Sequence, residues 1–159
     1  MNNEQTESSV HLLDTPIGKL ALRMQDGVLL KIDFLAQPLR PASKNKQQFQ
    51  KLTNQLQQYF KNPQTDFNIK SDERGTVFQR RVWQALRCIP VGETRTYGQI
   101  AKQLSSSPRA VGGACRANPL PIITPCHRVT AANGTGGFAG ARQGKLLEIK
   151  EWLLEHEAG

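Results

Sequence analysis

One short segment of this chain combines the residue types of nucleophilic catalysis: Pro125-Cys126-His127-Arg128-Val129. A cysteine attacks as its thiolate, and cationic surroundings favour that form, so Arg128 supplies positive potential beside Cys126. Prolines 119, 121 and 125 stiffen the approach, and a glycine-rich stretch, Asn133 to Gly140, follows. A cysteine between two such segments is expected on a strand at the edge of a cleft. A small cysteine filling a core is the competing reading, and the residues alone leave both open. A direct Cys126–His127 dyad of the hydrolase kind is geometrically awkward, because neighbours on a strand point to opposite faces.

The other two cysteines, Cys88 and Cys115, form neither a CxxC pair nor a disulfide framework. An odd number of cysteines suggests free thiols. His11, His127 and His156 do not stand at zinc-finger spacing from a cysteine pair, so neither a metal nor a cofactor is expected. The chain has 159 residues with a net charge of +8. Nine basic residues lie between Arg74 and Arg128 (Arg74, Arg80, Arg81, Arg87, Arg95, Lys102, Arg109, Arg116 and Arg128) against one acid, Glu93, so this segment alone has the charge of the whole chain. A solvated basic surface is one reading; contact with nucleic-acid phosphates is the other. No apolar run is long enough to span a membrane, and Met1–Ser9 lacks the apolar stretch of a signal peptide, so a cytoplasmic (or nuclear) setting is expected.

The elements that position these residues follow from periodicity. Val10–Leu13, Lys19–Met24 and Val28–Phe34 read as strands, joined by Thr15-Pro16-Ile17-Gly18 and Gln25-Asp26-Gly27 turns. Residues 36–45 read as a loop. A helix is expected from Lys46 to Phe60, with Phe49, Leu52, Leu56, Tyr59 and Phe60 on one face, and a further strand over Asp66–Ile69. A second lobe starts near Gly75. Val77, Phe78, Val82, Ala85, Leu86 and Ile89 mark a helix closed by Pro90, with Trp83 and Cys88 expected as core. Helices over Tyr97–Leu104 and Arg109–Ala117, joined by Ser105-Ser106-Ser107 with Pro108 at the first helical position, fit a helix-turn-helix. Gly112 and Gly113 inside the second of these cost about 1 kcal/mol each relative to alanine. Close packing against another helix or close approach to a DNA groove would compensate. The last helix runs from Lys145 to His156. The fold class is α+β: an N-terminal β-sheet lobe with one helix (1–72), then a mostly helical C-terminal lobe (73–159) that holds the basic segment and Cys126.

Pro125-Cys126-His127-Arg128-Val129 resembles the active-site signature of the O6-alkylguanine-DNA alkyltransferases, the methylated-DNA–protein-cysteine methyltransferase family. Other segments match the same family in order: Gly75-Thr76-Val77-Phe78-Gln79, Val82-Trp83, Ile89-Pro90, Gly92-Glu93-Thr94, Tyr97-Gly98, Arg109-Ala110-Val111-Gly112, Asn118-Pro119 and Glu151-Trp152-Leu153-Leu154-Glu155-His156-Glu157. The resemblance covers roughly residues 75–157. Residues 141–144 lengthen the link after Gly140 beyond that of many family members, and the N-terminal zinc-binding cysteine cluster of some relatives is absent from the sequence.

The resemblance implies one irreversible alkyl transfer per molecule, from O6-alkylguanine (and by extension O4-alkylthymine) in double-stranded DNA to Cys126. It implies that His127, through a water, takes the thiol proton with Glu157 orienting it, and that Tyr97 donates to ring nitrogen N3 of the leaving base. Asn118 would hold the turn before Cys126. Arg109 would replace the extruded nucleotide in the stack, and Ala110, Gly112, Gly113, Arg116 and Arg95 would contact DNA from the minor groove. Val129, Phe138 and Ala139 would line the base pocket. A monomer is expected. A sensor that binds alkylguanine without repairing it carries tryptophan at the position of Cys126 in such relatives, which argues against it. A helix-turn-helix transcription factor leaves Pro125–Val129 unexplained.

Overall fold

In a computed structural model of the chain, residues 8–35, 46–134, 136–138 and 144–159 are described. The loop expected over 36–45, the pocket residue Ala139 and the extra link residues 141–143 lie outside the described residues. The chain divides into two units, Met1–Glu73 and Arg74–Gly159.

The first unit is an antiparallel meander, β1 (Ser9–Thr15), β2 (Gly18–Gln25) and β3 (Val28–Phe34). Asp26 and Gly27 both have positive φ (52° and 77°), the left-handed pair that a two-residue hairpin needs to match strand twist. Helix α1 (Gln50–Lys61), entered through a 3-10 turn at Lys46–Phe49, buries Leu52, Leu56 and Tyr59. These join Phe49, Leu20, Leu22, Leu29 and Ile32 in one apolar core. Phe60, expected on the same face, is only half-buried.

The strand expected at Asp66–Ile69 does not form. Its backbone meets β3 only beyond it, where Leu29 N–H donates to Lys70 O and Asp72 N–H to Leu29 O. The Asn68 amide is taken instead by Gln55 Oε1 at 2.9 Å, which leaves no ladder to extend.

The second unit opens with α2 (Val77–Arg87). Its N-terminus carries a reciprocal capping box: Thr76 Oγ1 accepts from Gln79 N–H, and the Gln79 side chain accepts from Thr76 N–H. Trp83 is fully buried and donates its indole N–H to Ala114 O at 2.9 Å. Two core expectations fail here. Val77 is 67% exposed, at the first turn before the apolar stripe begins. Cys88 is exposed because it follows Arg81 and Gln84 on the solvent side, while Val82, Leu86 and Ile89 face inward.

Two residues, β4 (Arg95–Thr96), pair in parallel with β5 (Val129–Thr130). Thr96 is also the N-cap of α3 (Tyr97–Gln103), again with a capping box to Gln99. This short pairing sets Tyr97, the first residue of α3, beside the segment that leaves Cys126. Helix α3 ends in a Schellman-type turn, with Ser105 left-handed (φ 54°) and Ser106 N–H donating to Ala101 O. Ser107 then caps α4 (Pro108–Arg116) by accepting from Ala110 N–H. The two helices and their turn form a helix-turn-helix. Helix α5 (Lys145–Ala158) closes the unit. The architecture is α+β, with the sheet in the N-terminal unit and helices dominating the C-terminal one.

Candidate active site and DNA interface

The chain leaves α4 through a turn that Asn118 holds at both ends. Its Nδ2 donates to Thr124 O at 2.8 Å, and its Oδ1 accepts from Leu120 N–H at 3.0 Å. Within that turn Ile122 stands at φ 77°, a conformation costly for a β-branched side chain and tolerable only where its surroundings fix it. The turn delivers the chain to Cys126–Arg128, which is a single 3-10 turn and not the expected strand. With about three residues per turn, successive side chains project in different directions. Cys126 and His127 therefore still do not face each other along the chain.

Cys126 is 6% exposed, so it is buried and not at a cleft edge. Burial pushes its thiol up, against the opposing pull of the Asn118 side chain, Lys150 and its own backbone amide. Arg128 is not the cation that acts on it. That guanidinium is itself buried, with Nε and Nη2 on the two oxygens of Glu157 (2.8 and 3.0 Å) and Nη1 on Ile89 O (2.7 Å). A guanidinium this thoroughly paired is unavailable to any phosphate.

His127 has no exposure, and its Nε2 lies 2.8 Å from Glu157 Oε2. Burial holds its imidazole below its ordinary value, with Arg128 and Lys150 adding to that and Glu157 opposing it. The neutral ring donates from Nε2–H to the carboxylate, which leaves the acceptor lone pair on Nδ1. Nδ1 is buried and has no hydrogen-bond partner among the described residues. An open basic nitrogen on the residue after a thiol is suited to receive a proton.

Sequence reasoning passed over Lys150. It is fully buried, and its Nζ donates to Val129 O at 2.7 Å and Gly137 O at 2.8 Å. A signal was present: Leu146, Lys150, Leu153 and Glu157 recur at helical spacing, which sets one lysine and one glutamate into an apolar stripe of α5. Tyr97 donates its hydroxyl to Gly137 O at 3.3 Å, and burial with the nearby Cys115 and Cys126 pushes it up to about 12, so it remains a donor. Cys115 is likewise pushed up to about 12, chiefly by burial, which keeps it a thiol. Val129 is fully buried and Phe138 nearly so, at 3%.

Helix α4 presents Arg109, Gly113 and Arg116 to solvent, with Ala110 and Gly112 half-buried. A Cβ built on Gly112 or Gly113 meets nothing within 4 Å, so close helix packing does not account for these glycines. Arg109 and Arg116 take no ion pair with any described residue. Arg95 does, reaching Glu93 Oε1 at 3.1 Å on the surface. Of the nine basic residues counted in the sequence, Arg128, Arg95 and Arg87, whose Nε donates to Thr124 Oγ1, are thus engaged inside the unit.

Both units match known families. Residues 9–72 match the ribonuclease-like domain of 6-O-methylguanine DNA methyltransferase, and residues 77–159 match its DNA-binding domain. A methylated-DNA–protein-cysteine methyltransferase of Mycolicibacterium paratuberculosis is 43% identical over 152 residues, covering 91% of this chain and 89% of the relative. The crystal structure of Mycobacterium tuberculosis O6-methylguanine methyltransferase superposes with a TM-score of 0.81 at 39% identity, covering 96% of this chain and 93% of that one. The Mycobacterium tuberculosis OGT in complex with DNA gives 0.77 at 39% identity, covering 93% and 92%. With matches spanning both units, the chain belongs to the 6-O-methylguanine DNA methyltransferase family.

Proposed function

We propose that this methylated-DNA repair enzyme transfers the alkyl group of O6-alkylguanine in duplex DNA to its own Cys126, once per molecule. The observation that supports it best is the arrangement at His127, a neutral buried imidazole fixed by Glu157 with an open acceptor at Nδ1. A bridging water carries the Cys126 proton to that nitrogen. The sulfur then forms a bond to the alkyl carbon as the carbon–oxygen bond breaks and its electron pair passes to the guanine. Tyr97 donates to ring nitrogen N3 of the departing base, and the proton given up by the thiol ultimately makes the guanine neutral. O4-alkylthymine offers the same alkyl–oxygen bond to the same sulfur.

The reacting carbon inside a duplex is out of reach of a buried sulfur, so the nucleotide is extruded before reaction. Helix α4 enters the minor groove, where the bare Gly112 and Gly113 allow close approach and Arg109 fills the place of the flipped base. Arg116 and Arg95 contact the backbone, and Val129 and Phe138 line the base pocket. Residues 73–159 perform both binding and chemistry, as a monomer, on DNA in the cytoplasm or nucleus. The resulting thioether lacks a leaving group comparable to guanine, and thioethers do not enter thiol–disulfide exchange, so the protein is consumed.

The test is transfer of labelled methyl groups from DNA with the modified residue mapped. Transfer should plateau at one equivalent, and Cys126→Ser should abolish it while duplex binding persists. Repair beyond one equivalent, or label on another residue, would overturn the reading.

A further inference from the structure

Lys150 and Tyr97 share an acceptor. Gly137 O receives the Lys150 ammonium at 2.8 Å and the Tyr97 hydroxyl at 3.3 Å, and the ammonium sits 5.9 Å from the centre of the Tyr97 ring. The tyrosine bond is long for an O–H···O contact, whereas the lysine bond has ordinary length. The second bond of Lys150, to Val129 O, anchors it to the segment that leaves Cys126. Gly136, left-handed at φ 76°, has space for no Cβ: the atom would lie 3.0 Å from Tyr97 Cε2 and 3.1 Å from Ala131 N. The glycine segment is therefore packed against the tyrosine and tied to the lysine.

A hydroxyl bound to Gly137 O cannot at the same time serve a base. If it left a part-buried carbonyl with no other donor, the loss of that bond would oppose the move. We propose that Lys150 is a positioning residue that holds the Gly137 carbonyl so that the Tyr97 hydroxyl is free to turn from it to N3 of the departing guanine. Lysine suits this task because its ammonium has three donors, of which two are used among the described residues. Burial brings it down to about 8, which leaves it protonated at neutral pH. The titratable groups that act on it are Cys126 from the active-site turn and Cys115 from α4; it acts in turn on His127 and faces the ring of Tyr97 from α3. The inference rests on the alkyl-transfer reading above and adds a residue to it.

The test compares single-turnover rates on duplexes bearing O6-methylguanine or its 3-deaza analogue, which has C–H in place of N3. The proteins are the unmodified chain, Tyr97→Phe, Lys150→Met, the double variant, and Lys150→Gln in case burial of methionine disturbs folding. Circular dichroism and duplex affinity are measured on each. Tyr97→Phe should slow normal substrate by about a hundredfold, the scale of losing one donor to a developing charge. Lys150→Met should slow it by about tenfold, lower the normal-to-deaza rate ratio, and add less than about threefold in the Tyr97→Phe background. Lys150→Gln, which retains donors, should fall between. Lys150→Met with an unchanged rate ratio, or with its full loss preserved in the Tyr97→Phe background, would overturn the inference. So would an unimpaired Tyr97→Phe. Cys126→Ser reports separately: persistent transfer in that variant overturns the alkyl-transfer reading itself, whereas its inactivity beside an unaffected Lys150→Met removes only the role of Lys150.

Discussion

Arg128 and Glu157 form a two-point ion pair within the C-terminal unit, Nε to Oε1 at 2.8 Å and Nη2 to Oε2 at 3.0 Å, and the same Oε2 receives His127. One carboxylate therefore neutralises a buried guanidinium and orients the imidazole next to the nucleophile. The two functions cannot be lost separately by removing the glutamate.

Glu157→Gln is expected to destabilise the C-terminal unit by roughly 3–5 kcal/mol, because it leaves the Arg128 charge buried without its partner. Denaturant unfolding measures this. The transfer rate of the surviving folded protein should also fall, since the amide no longer enforces one tautomer of His127. A stability loss under about 1 kcal/mol would mean that the guanidinium finds water or another partner when the carboxylate is gone.

Gly112 and Gly113 offer a separation of stability from binding. A Cβ at either position meets open space, so alanine should leave the fold intact and stabilise α4 by up to about 1 kcal/mol. The same methyl group should weaken duplex binding if the helix lies against a groove. Arg109→Ala should spare binding to intact duplex more than it spares repair, because the arginine acts on the extruded state. Equal loss of both would make Arg109 a phosphate contact, and unchanged affinity in Gly113→Ala would move the interface off this face.

Much of this was legible in the sequence, and the failures have physical causes. Apolar periodicity and capping residues located the α-helices of the described residues, and Asp26-Gly27 marked its hairpin, because these signals are local. The Asp66–Ile69 strand failed because a ladder needs a partner edge, and Gln55 took the Asn68 amide first. The electrostatics of Cys126 were misjudged for a related reason. Adjacency suggested Arg128, but Arg128 is neutralised by Glu157, 29 residues away, and the cation that acts on the thiol is Lys150. Charges distant in sequence and buried together leave only a faint trace, here a lysine and a glutamate inside the leucine stripe of α5.

Gly75 is held by a contact across its own turn. A Cβ there would lie 2.5 Å from Cη2 and 2.7 Å from Cζ3 of Trp83, a side chain that is fully buried and tied to α4. Gly75→Ala should therefore cost about 1–3 kcal/mol, as overpacking does in a core. Thermal unfolding followed by tryptophan fluorescence would register it. A neutral result would show that residues 74–76 move aside without disturbing the Thr76–Gln79 cap.

The pH dependence follows from His127. Its ordinary value is 6.5 and burial lowers it in the folded protein. Below that value the unfolded chain takes up a proton that the folded chain refuses, so stability should fall as pH drops through about 6.5 toward the folded value. The slope is at most about 1.4 kcal/mol per pH unit for this one group. His11 in the first unit is lowered too, by burial and then Lys46, and acts in the same direction. His127→Gln should remove only its own share, and His11→Gln serves as the comparison. Transfer should track the same proton: a neutral imidazole is the base, so the single-turnover rate should be level from about pH 7.5 to 6.5 and decline only below. A rate already halved at pH 7, or stability that rises on acidification, would mean that His127 is protonated in the folded protein and is not the base.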